Sequence, residues 1–221
     1  MSFDASNFNN WRNIKQGQII SLSDENTLKY GIEEGFGFRD AFDFKVEKVN
    51  RLDFDLFTVL MIDINSEELD QNLTILVRKL IGEDKFDISV NFIADESNFP
   101  NTRDKLGINS DTQYIFNPPE DQDKLFEQGN FSDLEFTDEI IEDIENESIL
   151  YEKEFSTIFG NTSDDTFAQM VSYQTDLDVS YDRITIIELG GADIDGNVFS
   201  EGGLVNVYQG CCVNTQDVKV F

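Results

Sequence analysis

The N-terminal part of the chain alternates hydrophobic and polar residues as half-buried β-strands do. Residues 42–49 (FDFKVEKV) place apolar and polar side chains at alternate positions, a period of two. Residues 53–62, 73–81 and 86–93 are richer in β-branched and aromatic residues and are bounded by polar breaks, which is typical of central strands. Because the Gly82–Lys85 connection is short enough for a hairpin, the pattern predicts an antiparallel meander.

The middle of the chain changes to a helical period. Residues 95–117 are polar and form a composition break, after which Pro118 and the acids that follow it predict a helix over 118–128. Ser132, with a glutamate three residues later, has the form of a capping box and predicts a second helix over 132–147. At helical spacing its apolar stripe consists of Phe136, Ile140, Ile141 and Ile144. The opposite arc carries only carboxylates, namely Glu135, Asp138, Glu139, Glu142, Asp143 and Glu145.

The C-terminal part predicts one more helix and then strands. Ser163 is a suitable N-cap for a helix that would carry Phe167, Met170 and Val171 on one side. Three apolar runs after it predict strands over residues 183–189, 203–208 and 218–221.

The order strands, helices, strands predicts an α+β fold, with a mainly antiparallel sheet and a helical, strongly acidic middle segment. We expect a strand-rich part over 1–94 and a second part over 95–221, in which acidic helices precede the C-terminal strands. One continuous domain over 1–221 is the alternative. Whether the strands of the two parts share a sheet is open at this stage.

The net charge of the chain limits its possible partners more than any motif does. The 221 residues hold 45 acids and 16 bases, a net charge of −29. Binding to nucleic acid or to an anionic membrane surface needs Lys and Arg, so we expect neither as a direct partner. No stretch has the roughly 20 apolar residues of a membrane span, so no membrane insertion is expected. The N-terminus has no basic and apolar secretory signal, and we expect a cytoplasmic protein.

Several kinds of chemistry lack the residues they require. The chain contains no histidine, which excludes histidine-based catalytic triads and dyads and the commonest zinc sites. No glycine-rich loop matches a phosphate-binding motif, and we expect no cofactor and no catalytic residue. The two cysteines, Cys211 and Cys212, are adjacent and suit burial in a reducing compartment.

A weak metal candidate remains in the C-terminal part. Asp193 and Asp195 stand in a glycine-containing loop that resembles the start of a calcium-binding loop. The sixth and twelfth positions of that loop, counted from Asp193, are Val198 and Leu204 rather than Gly and Glu, so a hairpin turn explains the sequence better.

The leading hypothesis is a soluble acidic interaction protein that binds and occupies a basic or neutral partner protein. The six carboxylates of the predicted helix face are its expected contacts, because such a row can face a surface that normally binds phosphates. A nucleic-acid mimic and an immunity protein or antitoxin fit this hypothesis equally. The alternatives are a structural or accessory protein of a virion or envelope, whose acidity serves solubility only, and a carboxylate-based enzyme or calcium-dependent binder.

Overall fold

The computed structural model describes residues 3–23, 42–66, 73–93, 114–116, 149–155, 158–163, 166–174, 183–190 and 204–221. Twelve strands and one four-residue helix occupy these ranges. In chain order they are α1 (Phe8–Trp11), β1 (Ile19–Leu22), β2 (Phe42–Phe54), β3 (Phe57–Asn65), β4 (Leu73–Leu80), β5 (Phe86–Ile93), β6 (Tyr114–Phe116), β7 (Ile149–Lys153), β8 (Ile158–Thr162), β9 (Phe167–Gln174), β10 (Arg183–Leu189), β11 (Leu204–Cys212) and β12 (Val218–Val220).

Eight of the strands close into an antiparallel barrel in the order β2-β3-β4-β5-β11-β10-β9-β8. The short strand β8 closes it, because Leu52–Phe54 of β2 pairs with one edge of β8 and Phe167–Met170 of β9 with the other. The remaining four strands add to the sheet on either side of β8. The start of β2 pairs with β1, which pairs with β12, and the end of β9 pairs with β7, which pairs with β6. The N-terminal and C-terminal strands therefore share one sheet.

The predicted antiparallel sheet is confirmed, and the predicted α+β class is wrong. The only α-helix in the described residues is α1, and a three-residue 3-10 turn precedes β12. The helix predicted after Ser163 is strand β9 instead, with Met170 and Val171 on opposite faces in two different hydrophobic clusters. The helices predicted over 118–128 and 132–147 lie outside the described residues.

In β4, β9 and β10 consecutive residues are buried, so both faces of the barrel wall are covered there, whereas the outward residues of β8 are exposed. One hydrophobic cluster lies inside the barrel and collects side chains from seven of its strands: Leu52, Phe54, Val59, Met61, Leu76, Ile158, Ala168, Met170, Ile187 and Tyr208. Its inward position follows from Arg78, which shares the Leu76 face of β4 and contacts Glu154 beside β9 across the barrel. An eight-stranded barrel has an interior that side chains of this size can fill.

The outer face of the barrel packs against the N-terminal segment. Trp11 is fully buried there, and its indole N–H donates to the carbonyl oxygen of Ala5 at 2.8 Å. The ring of Phe3 packs edge-on against Trp11 with centroids 5.3 Å apart. Trp11 therefore fixes the N-terminal arm to the barrel. Ile20 and Val218, on β1 and β12, belong to the same outer cluster.

Two glycines allow barrel strands to approach closely. A Cβ atom at Gly210 of β11 would overlap the carbonyl oxygen of Val90 on β5, and one at Gly160 of β8 would overlap that of Asp53 on β2. Only glycine fits where one backbone lies this close to another. These positions lie at the β5–β11 junction, where the two halves of the barrel meet, and in the closing strand.

Candidate functional site

Four charged side chains meet inside the barrel at one end, and we call them the charged cluster: Arg78, Asp87, Glu154 and Arg183. Arg78 and Asp87 are direct partners on β4 and β5, and Arg183 is the first residue of β10. Glu154 follows β7, where its backbone N–H donates to the carbonyl oxygen of Ser172 at 2.8 Å. The four residues thus come from separate parts of the barrel wall.

The guanidinium groups and carboxylates of the cluster are paired with each other. Arg78 holds Glu154 through two hydrogen bonds, Nη1 to Oε2 at 2.8 Å and Nη2 to Oε1 at 3.0 Å, and it also donates to Asp87 from Nη2 at 3.0 Å. Arg183 donates more loosely, to Asp87 at 3.2 Å and to Glu154 at 3.3 Å. Paired bonds of the Arg78–Glu154 kind are strong and fix the geometry of both groups.

Aromatic rings pack against the Arg78 guanidinium. Its central carbon lies 5.4 Å from the ring centroid of Phe57 and 5.4 Å from that of Phe155. The two rings lie 5.1 Å apart at their centroids. Because the faces of aromatic rings attract cations, the rings add to the hold on Arg78 while shielding it from water.

Glu154 and Arg78 keep their ionised forms at neutral pH. Burial alone would raise the pKa of Glu154, but the hydrogen bond from Arg78 and the charges of Arg183 and Arg78 outweigh it and hold the pKa below its ordinary value. Burial would likewise lower the pKa of Arg78, but the hydrogen bond to Glu154 and the charges of Asp87 and Glu154 raise it. The Arg78 side chain is only 7% exposed, so its charge depends on these partners.

Further along the interior lies a row of polar side chains. The hydroxyl of Thr74 donates to Asp63 at 2.9 Å, and the amide nitrogen of Asn91 donates to the carbonyl oxygen of Thr74 at 3.2 Å. Burial, together with the charge of Asp63, raises the pKa of Tyr208 far above its usual range, and a hydrogen bond with Asn206 offsets only part of this. Tyr208 therefore stays a neutral phenol.

The pairing of the four groups suits the charged cluster to holding strands together rather than to transferring protons. Two cations and two anions balance, and each carboxylate is engaged by both arginines. A carboxylate whose pKa is lowered in this way is a poor general acid or base at neutral pH. Within the described residues, two buried side-chain polar atoms have no hydrogen-bond partner, the Nε of Arg183 and the Oδ1 of Asn91.

The site residues predicted from sequence fall elsewhere. The carboxylates of the predicted helix face, Glu135, Asp138, Glu139, Glu142, Asp143 and Glu145, lie outside the described residues, as do Asp193 and Asp195 of the weak metal candidate. In the ranges that are described, no three Cys, Asp or Glu side chains are grouped to hold a metal ion. Cys211 is buried, Cys212 is half-buried, and neither forms a disulfide.

The charged cluster escaped prediction although the sequence carried a signal for it. Arg78 interrupts the apolar run LTILVRKL, and Arg183 opens the run RITIIEL. A charge within a strand that is apolar on both faces must find a partner when it is buried. The partner of Arg78 lies 76 residues away in the chain, and no local pattern identifies it.

Of the helices that the structure describes, none has the length and apolar character to cross a membrane.

Comparisons with known proteins leave the chain without a family assignment. No protein-family model, no curated protein and no solved structure matches this chain.

Proposed function

We propose that the protein is an acidic interaction protein that binds and occupies a basic partner protein. The observation that carries the proposal is the division of charge along the chain. The described residues hold 13 acids and 11 bases, a net charge of −2, whereas the whole chain holds 45 and 16, a net charge of −29. The remaining segments therefore hold 32 acids and 5 bases.

This division favours an interaction over general solubility. Acidity that served only solubility would be expected over the whole exposed surface, including the exposed residues of the barrel segments. The barrel segments instead have nearly balanced charge, and the excess lies in the segments that connect them. Residues 117–148 alone hold 12 acids and one base. A negative field concentrated in a few segments speeds encounter with a cationic protein and weakens as salt is added.

The proposed contacts are the carboxylates predicted on one helix face: Glu135, Asp138, Glu139, Glu142, Asp143 and Glu145. The partner's surface would carry Lys and Arg, of the kind that otherwise binds phosphates. Nucleic acid is not a direct partner under this proposal. Cytoplasmic location belongs to the same proposal, because two thiols without a disulfide suit a reducing compartment.

The test compares two charge reversals of equal size. One variant changes Glu135, Glu139 and Glu142 to Lys, and the control changes three exposed acids of the described residues, Asp4, Asp43 and Asp53, to Lys. Partner proteins are captured on the immobilised protein and eluted between about 50 and about 300 mM salt. We expect the first variant to lose partners that the wild type and the control retain. Equal retention by both variants would refute these contacts, and equal loss would show that only net charge matters.

A further inference from the structure

The barrel carries exposed hydrophobic side chains at one end. Among the described residues four large hydrophobic side chains are exposed, and three of them belong to neighbouring backbone segments there: Leu56 at 47%, Ile81 at 58% and Phe159 at 37% exposure. The backbone N–H of Ile81 donates to the carbonyl oxygen of Leu56 at 2.8 Å, and that of Asp55 donates to Phe159 at 3.0 Å. We call these three side chains the tip patch.

The conformation of the β4–β5 turn does not depend on a hydrophobic residue at its tip. Leu56 lies in the β2–β3 turn, and Ile81 lies just before Gly82 in the β4–β5 turn. Gly82 has φ of +89° and supplies the backbone conformation that the turn requires. Polar residues usually occupy such tips, and clustered apolar residues on a surface mark sites of interaction.

The charged cluster lies directly behind the tip patch and holds it in place. Phe57 follows Leu56 in sequence and turns inward, where its ring packs against Phe155 and Arg78. The β4 strand that ends at the second tip carries Arg78 itself. The patch is therefore presented by backbone that is already fixed, and a partner that binds it loses little conformational entropy.

The charges around the tip patch indicate the chemistry of its partner. The two turns expose Asp55, Glu83, Asp84 and Lys85, three carboxylates and one ammonium group. Protein interfaces usually have an apolar centre surrounded by a polar rim. A second copy of this chain is a poor occupant, because two molecules of net charge −29 repel each other.

We propose that the tip patch is the apolar anchor of a docking surface for a protein that presents hydrophobic side chains ringed by Lys and Arg. This inference rests on the proposed function and adds a second contact to it, one that salt does not weaken. The acidic segments steer the partner, and Leu56, Ile81 and Phe159 retain it.

The experiment uses two fluorescent peptides of about 14 residues, one of alternating Leu and Lys blocks and one of Lys with Ser in place of Leu, at equal charge. Against the wild type, we expect the Leu-containing peptide to bind at least about tenfold more tightly at about 300 mM salt. In the variant Leu56→Ser, Ile81→Ser, Phe159→Ser, this advantage should disappear, while binding of the Ser peptide stays within about twofold. The melting temperature of the variant, measured in parallel, reports whether it is folded.

Amide chemical shifts of the wild-type protein locate the contact without any variant. The Leu-containing peptide should perturb residues 55–57, 81–85 and 158–160. Equal affinity of the two peptides for the wild type, or perturbations elsewhere, would overturn the anchor and leave the proposed function standing. If neither peptide binds at low salt, the proposed function itself is refuted. A concentration-dependent dimer that the variant abolishes would make a second copy the occupant and overturn the proposal.

Discussion

Arg78 and Glu154, 76 residues apart in the chain, form a two-hydrogen-bond ion pair across the barrel interior, with nitrogen–oxygen distances of 2.8 and 3.0 Å. The pair joins β4 to the junction between β7 and β8 on the far side. Because β8 is the strand that closes the barrel, this pair fixes the closing strand to the opposite wall.

Removing the charge of Glu154 should therefore destabilise the fold. Breaking a buried ion pair leaves an uncompensated charge and costs about 3 to 5 kcal/mol. Asp87 still faces both arginines, so we expect Glu154→Gln to lower the free energy of unfolding by about 3 kcal/mol, as measured by urea denaturation.

The matched control is Glu47→Gln, which removes an exposed ion pair with Lys45 at 3.0 Å. Exposed pairs contribute little, so this variant should lose well under about 1 kcal/mol. Equal losses in the two variants would show that the Glu154 pair is no stronger than a surface pair.

The same residue should make stability depend on pH. Arg78, Arg183 and Ser172 face the carboxylate of Glu154, and its pKa in the folded protein is lower than in the unfolded chain. The unfolded state therefore binds the proton more readily, and stability is lost as pH falls below about 4.3, the ordinary glutamate value, toward the folded pKa. We expect the difference in unfolding free energy between wild type and Glu154→Gln to be constant from pH 7 to pH 5 and to shrink below that range. A difference that persists unchanged to pH 3 would contradict the lowered pKa.

Gly210→Ala should disrupt the junction between β5 and β11. The added Cβ would overlap the carbonyl oxygen of Val90, so the two backbones must separate. We expect a loss of at least about 2 kcal/mol in unfolding free energy. Gly82→Ala is the control: Gly82 has φ of +89° and open space around it, so its cost is the conformational term alone, about 1 kcal/mol. A smaller loss at Gly210 than at Gly82 would refute the close approach of the strands.

The two adjacent thiols should react at different rates. Cys211 is 2% exposed and packs in the outer cluster, whereas Cys212 is half-buried on the other face of β11. A disulfide-exchange reagent should label the folded protein in two phases that differ at least about tenfold in rate, because labelling of Cys211 requires local opening. Cys212→Ser should remove the fast phase. A single phase with two thiols labelled would show that Cys211 is accessible.

Much of the N-terminal sheet could be predicted from local pattern. The alternation in residues 42–49 and the short connection after Gly82 identified strands and a hairpin that the structure contains. The helix after Ser163 failed because the spacing of Phe167, Met170 and Val171 fits a helix face and equally fits a strand buried on both faces. Val171 and Tyr173 favoured the strand, since β-branched and aromatic residues pack well in sheets.

The closure of the barrel and the charged cluster could not be predicted in the same way. Both depend on pairings between distant residues, such as Leu52 with Thr162 and Arg78 with Glu154. A single sequence records the charges and the apolar runs but not which strands become neighbours. The charges of Arg78 and Arg183 required buried partners, and only the strand order identifies them.

The pairing of β5 with β11 has a consequence for how the chain folds. The first four barrel strands, β2 to β5, end at residue 93. The edge of β5 pairs with residues 208–212 of β11, which are synthesised much later. During synthesis the early meander must therefore persist with unpaired backbone groups, an arrangement prone to association with other chains. Contacts this distant in sequence also slow folding, because a long loop must close before they form. We expect the barrel to assemble late and as a unit, after most of the chain has left the ribosome.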